Sequence, residues 1–298
     1  MPFDTTFITL GTAGGPVPKL HRAAPAHAIT YGDRVILIDC GEGAMQQLMR
    51  VGIDFRRIDK VILSHHHFDH IGSLFTCLGI NMMLQRKQPI TIYGPPGTRQ
   101  IVEGLAMACD IPQAIGFGVV GQSLPHPRNF VQVEEIAPGD TFEIDNIRVS
   151  CCENTHYRAE TELGMKGPIS LSLRFDAPDR SIVYTGDTGP CRMVENLAKG
   201  AQLLVGEMML AEQIIAQLQE KNPHMTSERI TMMGQHLHSH HLSPEQLGDL
   251  AARAGVTHLV AVHIPLDNIT PETAPDYAVR ISQVFSGQIT IAKDLDHF

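Results

Sequence analysis

No apolar run in this 298-residue chain approaches the ~20 residues that a bilayer-crossing helix needs, so a membrane-spanning protein is not expected. The opening stretch from Met1 to Phe7 has no basic side chain and no long apolar segment. No export signal is therefore expected, and the chain is placed in the cytoplasm. The six cysteines follow no regular spacing, and the adjacent Cys151 and Cys152 would pair poorly. That excludes a disulfide framework and a zinc-finger spacing. All six, Cys40 and Cys191 included, read as packing residues of a reduced protein. Positive charge is short as well: 23 Lys and Arg stand against 32 Asp and Glu, for a net charge of −9. Such a balance argues against broad electrostatic gripping of nucleic acid. There is no short-period repeat, no linker-like break in composition and no serine-nucleophile motif. The length allows one large domain or two small ones, and the even composition favours a single domain over 1–298.

What the chain does have is enough apolar residue to build a core, 43%, and an unusual 16 histidines. The histidines concentrate at Ser64-His65-His66-His67-Phe68-Asp69-His70-Ile71-Gly72. This stretch follows Lys60-Val61-Ile62-Leu63, an apolar run that reads as a buried strand. In register the turn is His65-x-His67-x-Asp69-His70, because starting at His66 would put Phe68 where a ligand is needed. Imidazole and carboxylate suit zinc-like divalent ions. Four donors on one tight loop are too many for one tetrahedral ion with an open position. The spacing suits two ions, with His65 and His67 toward one and Asp69 and His70 toward the other.

The rest of the chain reads mostly as strands with interspersed helices. Strands are predicted at Phe7–Leu10, Ala28–Tyr31, Val35–Ile38, Ile90–Tyr93, Phe130–Ile136, Phe142–Ile144, Ile147–Cys152, Ile169–Phe175, Ser181–Thr185, Leu203–Val205, Val256–Val262 and Ile289–Ala292. Helices are predicted at Ala44–Val51, Ser73–Leu84, Thr98–Ala108 with Thr98 as cap, Met208–Gln219, Pro244–Ala254 and Tyr277–Phe285. Ser243 with Gln246 forms a capping box. A Pro/Gly-rich connection is expected between Ala108 and Pro127. Two sheets covered by helices would satisfy the pattern. Gly41-x-Gly43 after a strand is a weak dinucleotide fingerprint, since Gln46 holds the third position. A tight turn that delivers Asp39 toward the metal loop is the better reading.

Three later polar residues each stand just past an apolar strand: His156 in Asn154-Thr155-His156, Asp187 in Thr185-Gly186-Asp187-Thr188, and His263 before Ile264-Pro265. Strand ends hold side chains rigidly and can aim several at one spot. A carboxylate such as Asp187 has two oxygens and could bridge two ions.

Together, Asp39-Cys40-Gly41-Glu42-Gly43, His65-x-His67-x-Asp69-His70, His156, Thr185-Gly186-Asp187-Thr188 and His263 resemble the metallo-β-lactamase superfamily. Leu10-Gly11-Thr12-Ala13-Gly14-Gly15-Pro16 and His241-Leu242-Ser243-Pro244-Glu245-Gln246 are similar to its ribonuclease Z-like branch, nearly end to end. The resemblance implies an α/β fold, a four-layer αββα sandwich, with two divalent ions. Zinc is the first choice, with manganese(II) or iron(II) as alternatives. It implies His65, His67 and His156 on one ion, Asp69, His70 and His263 on the other, and Asp187 bridging. His241 would assist the leaving group, and Asp69 would orient the nucleophile or take its proton. It also implies a homodimer. Three departures stand out. The interval from His156 to Asp187 is 31 residues, too short for the branch's long basic tRNA-gripping arm, and leaves only about 158–168 as loop. The branch's His-Glu-Ala-Thr motif corresponds to Gly206-Glu207-Met208-Met209, without its histidine. Met208–His240 is rich in Met and His and reads as core, or as a lid or dimer contact.

The expected chemistry is attack on phosphorus or a carbonyl carbon by a water activated between two cations, with His241 protonating the leaving oxygen. The favoured substrates are small phosphodiesters or related esters. The alternatives are a tRNA 3′-processing endonuclease and a non-catalytic metal-binding or sensing protein.

Overall fold

The computed structural model describes residues 4–118, 121–158, 167–270 and 272–298. The chain divides into two compact units, one drawn from residues 1–11, 23–137 and 294–298, the other from 12–22 and 138–293.

The first unit is a seven-stranded sheet with helices in its crossovers. Its strands are β1 (Thr5–Gly11), β2 (Ala26–Tyr31), β3 (Arg34–Ile38), β4 (Lys60–Ile62), β5 (Ile90–Gly94), β6 (Val131–Glu135) and the short C-terminal β14 (Asp296–His297). Their order is β14-β1-β2-β3-β4-β5-β6. The first half is antiparallel and turns through Gly32-Asp33, the expected hairpin. From β3 onward the strands are parallel, so each needs a crossover. Helices α1 (Ala44–Arg50), α2 (Phe68–Ile71), α3 (Leu74–Met83), α4 (Thr98–Ala108) and α5 (Asp110–Ile115) supply them. They bury Leu48, Leu74, Leu78 and Val102 against Leu37, Val61 and Ile92. Each such side chain contributes about 1.5–3 kcal/mol over leaving it exposed.

The second unit repeats the plan. Its strands are β7 (Thr141–Ile144), β8 (Ile147–Glu153), β9 (Leu171–Asp176), β10 (Ser181–Tyr184), β11 (Leu203–Glu207), β12 (His258–Val262) and β13 (Gln288–Ile291), in the order β13-β12-β11-β10-β9-β8-β7. β7 to β10 pair antiparallel and β10 to β13 parallel. The crossovers carry α6 (Arg192–Leu197), α7 (Ala211–Lys221), α8 (Ser227–His240), α9 (Pro244–Ala254) and α10 (Ala274–Ser282). Val183, Leu204, Leu247, Leu250, Leu259 and Ile281 form the core. The β7–β8 hairpin turns on Asp145 and Asn146, both with positive φ, the residue types a tight primed turn prefers.

Several expectations are corrected. Thr98 does not cap α4: Gly97, with φ 104, holds that place, and Thr98 Oγ1 donates back to Pro95 O at 2.7 Å. The connection after Ala108 contains α5. The helix expected from Met208 starts at Ala211, because Met208 N and Met209 N are still engaged with Val262 O and Leu242 O. The loop expected at about 158–168 falls mostly on 159–166, outside the described residues. Ser243 and Gln246 do form the capping box. Among the described residues, no helix is long and apolar enough to cross a membrane.

Candidate metal centre

In both units the chemistry-bearing residues follow the carboxyl ends of strands, the usual ligand-binding edge of an α/β sheet. In the first unit β3 ends at Ile38 and Asp39 turns with φ 54, a left-handed backbone uncommon for a non-glycine residue. The Asp39 side chain is fully buried and needs partners. Oδ1 accepts from Ser64 N at 2.7 Å, and Oδ2 accepts from Ser64 Oγ at 2.8 Å and from His70 Nδ1 at 2.7 Å. Asp39 thus ties the end of β3 to the turn after β4. The turn needs glycine at 41, where a Cβ would meet Asp69 O at 2.2 Å and Pro25 O at 2.6 Å.

The loop after β4 gathers His65, His67, Asp69 and His70. Ring centroids lie 4.9 Å apart for His65–His67 and 4.0 Å for His65–His70, and Asp69 Oδ2 is 3.7 Å from His70 Nε2. His66 turns elsewhere, with Nε2 2.8 Å from Thr98 Oγ1. Burial holds its pKa below the ordinary imidazole value.

Hydrogen-bond direction assigns the tautomers. The one Ser64 hydroxyl proton goes to the Asp39 carboxylate, so His65 Nδ1, 3.0 Å from Ser64 Oγ, is the donor there. His70 Nδ1 likewise donates to Asp39. Both rings therefore carry the Nε2 lone pair.

The second unit builds the same pattern. Asn154 donates to Thr185 O at 3.2 Å and accepts from His156 N at 3.1 Å, which fixes the chain past β8. His156 Nδ1 donates to His240 O at 3.1 Å, and His156 Nε2 lies 3.8 Å from Asp187 Oδ2. His263 follows β12 with φ 56, and its Nε2 lies 3.1 Å from Asp187 Oδ2. The segment Thr12–Gly14 braces it: Ile264 N donates to Thr12 O at 2.7 Å and Gly14 N to Ile264 O at 2.9 Å. The left-handed backbones at Asp39 and His263 each cost about 1–3 kcal/mol, the kind of strain that clusters at functional sites.

His241 enters through a partner that the sequence reading left without a role. Glu207 ends β11 and is fully buried. Its Oε2 accepts from His241 Nδ1 at 2.7 Å, and its Oε1 from Thr188 N at 2.5 Å. A ligand atom from each of Asp187, His241 and His263 falls within 4.8 Å of the other two. The available signals for Glu207 were its place in Gly206-Glu207-Met208-Met209, matched to the branch's His-Glu-Ala-Thr motif, and its position as a carboxylate closing the apolar run Leu203–Gly206.

The donor sets suit divalent cations. They combine imidazole nitrogens with carboxylate oxygens. His65, His70 and His156 each bind an outer acceptor through Nδ1 and present Nε2, the usual arrangement behind a metal-ligating histidine. The cysteines are free and buried, in line with packing roles. Burial pushes the Cys40 thiol well above its ordinary range.

Comparison with known proteins gives a consistent result. The family model described as a beta-lactamase superfamily domain matches residues 34–264. Ribonuclease Z of Mycolicibacterium gilvum (strain PYR-GCK) is 29% identical over 294 residues, 97% of this chain and 94% of its own length. Ribonuclease Z of Mycobacterium avium (strain 104) is 28% identical over 291 residues, 97% of this chain and 96% of its own. The metallo-beta-lactamase fold protein YhfI from Bacillus subtilis matches with a TM-score of 0.71 at 18% identity, over 99% of this chain and 98% of its own. Human tRNase Z, short form (ELAC1), matches with a TM-score of 0.67 at 21% identity, over 98% of each chain. The expected metallo-β-lactamase fold is the one observed.

Proposed function

This chain belongs to the beta-lactamase superfamily as a ribonuclease Z-like metal-dependent hydrolase, and from that premise we propose that it cleaves small phosphodiesters or related esters with two divalent ions, acting as a single domain over 1–298. His65, His67 and His156 would hold one ion, Asp69, His70 and His263 the other, with Asp187 shared. Two such cations activate a water and offset the negative charge that develops at the attacked centre.

The protein's own contribution is proton handling and orientation. Asp69, on the first turn of α2, orients the attacking water or takes its proton. His241 donates a proton to the leaving oxygen from Nε2. Its Nδ1–H stays on the Glu207 carboxylate, which fixes the ring and steadies the imidazolium. That buried 2.7 Å contact is the observation that carries the reading: a metal-storing or sensing protein has no need of a proton donor backed by a desolvated carboxylate.

Small substrates are favoured by the net charge of −9 and by the short interval from His156 to Asp187. A second reading, cleavage of precursor RNA, draws support from the relatives named Ribonuclease Z. Zinc-loaded protein should be assayed side by side on bis-p-nitrophenyl phosphate, aryl esters, lactones, aryl sulfates and a precursor tRNA. Turnover of a small substrate with an intact tRNA supports the first reading. Efficient tRNA cleavage at low enzyme concentration replaces it with the second. No hydrolysis by metal-loaded protein refutes both.

A further inference from the structure

Helix α8 carries histidines that the hydrolytic site does not use. Its last turns read His236-Leu237-His238-Ser239-His240. Residues four apart share a helix face, and two histidines at that spacing make a two-nitrogen chelate. His236 is exposed, while His240 is buried at 8% exposure. Their Nδ1 atoms share a 2.9 Å hydrogen bond, with ring centroids at 4.7 Å and perpendicular planes, and a bound cation would take the place of the shared proton. His238 faces elsewhere, with Nε2 3.8 Å from Glu212 Oε1. The end of α8 is anchored, because His240 O accepts from His156 Nδ1.

The spacing discriminates between ions. At metal–nitrogen distances of about 2.0–2.1 Å, nitrogens 2.9 Å apart subtend about 90°. A tetrahedral ion would need them about 3.3–3.4 Å apart. A right angle is the cis angle of tetragonal copper(II) and nickel(II) sites, and copper(II) also heads the affinity order for nitrogen donors. We propose that His236 and His240 form a separate cation site on α8 that takes copper(II) or nickel(II), with water completing the coordination. Exposed His236 supplies the entry side and anchored His240 the fixed donor. The two side chains have no assigned part in the hydrolase reading, although His240 O holds His156 and the His236 ring centroid lies 5.9 Å from that of His241.

Protein holding its resident metal, freed of excess, should be titrated with copper(II) and followed by electron paramagnetic resonance, with zinc content measured in parallel. The wild type is expected to take up one added copper equivalent with an axial two-nitrogen spectrum and no loss of zinc. H236Q should lose that equivalent and that spectrum, and H238Q should keep both. Circular dichroism and thermal melting check that both variants are folded. The same spectrum from H236Q would overturn the proposal. So would copper uptake that only displaces zinc.

Discussion

Replacing Glu207 by Gln tests the proton-donor role at its root. The substitution keeps the shape of a side chain with no solvent exposure. The amide oxygen can still accept from Thr188 N, so one of the two contacts survives. The other inverts, because an amide NH2 cannot accept from His241 Nδ1 and offers it a donor instead. His241 must then take the opposite tautomer, and its imidazolium loses the carboxylate. A charge-assisted hydrogen bond of this kind is worth about 1.5–3 kcal/mol, or about 10- to 150-fold in rate. The full worth of a general acid, about 10²–10⁴, bounds the effect from above. The assay compares two phosphodiesters on folded, zinc-loaded protein, one with an alkoxide leaving group and one with p-nitrophenolate. kcat for the alkoxide should fall within that range, KM should change little, and the p-nitrophenyl diester should be nearly unaffected, since its leaving group needs no proton. His241→Ala should show the same pattern. The double variant should add little to either single one, because the two residues act as a unit. Wild-type turnover of the alkoxide substrate by E207Q would refute the reasoning. So would an equal loss on both substrates.

Three further outcomes are expected. Burial pushes Cys152 up to about 12, and Cys77 and Cys151 up to about 11. Thiolate fractions at pH 8 are then only about 10⁻⁴ to 10⁻³, so an aromatic disulfide reagent should leave these thiols unlabelled in native protein and label all after unfolding; rapid native labelling of Cys152 contradicts this. Partial burial, aided by Arg180, lowers the His258 pKa from the ordinary 6.5. The unfolded chain then binds the extra proton first, so stability is lost as pH falls through 6.5 toward the folded value. In metal-free protein H258Q should lose less thermal stability than wild type between pH 7.5 and 5.5, and equal losses would sink the idea. Exhaustive chelation should abolish hydrolysis and lower the melting temperature, both restored by zinc. A ligand present at a thousand times its dissociation constant contributes about 4 kcal/mol to the folded state. An unchanged melting curve would contradict metal binding.

The candidate metal loop was legible in the sequence because its four donors fall within six residues. A strand followed by His65-x-His67-x-Asp69-His70 leaves one register, and His66 does turn away to Thr98. Most strands were legible from short β-branched runs between turn residues. The orienting partners were less so. The tautomers of His65 and His70 are set by Asp39, 31 residues before His70, and that of His156 by a carbonyl 84 residues later. Local pattern carries no trace of such contacts. Glu207 was visible as the one residue kept from the branch's His-Glu-Ala-Thr motif, but its contact with His241 came only with the fold. The two-residue β14 escaped for the same reason: it exists only because β1 offers an open edge, pairing Ile8 with His297. Helix α5 was hidden by Pro112, which sits in its first turns where a missing N–H costs nothing.

The route of the chain between Glu207 and His241 has one more consequence. These partners are 34 residues apart in sequence, and the hairpin of α7 and α8 fills the gap. At its base Met209 N donates to Leu242 O at 2.8 Å, which closes the excursion like a drawstring. The end of α8 must be kept, since His240 O accepts from His156 Nδ1 at 3.1 Å, but the turns of α7 and α8 remote from it can vary while His241 and Glu207 keep their places. Evolution, or an engineer, could therefore exchange the outer part of the excursion for a different element and leave the contact between His241 and Glu207 intact.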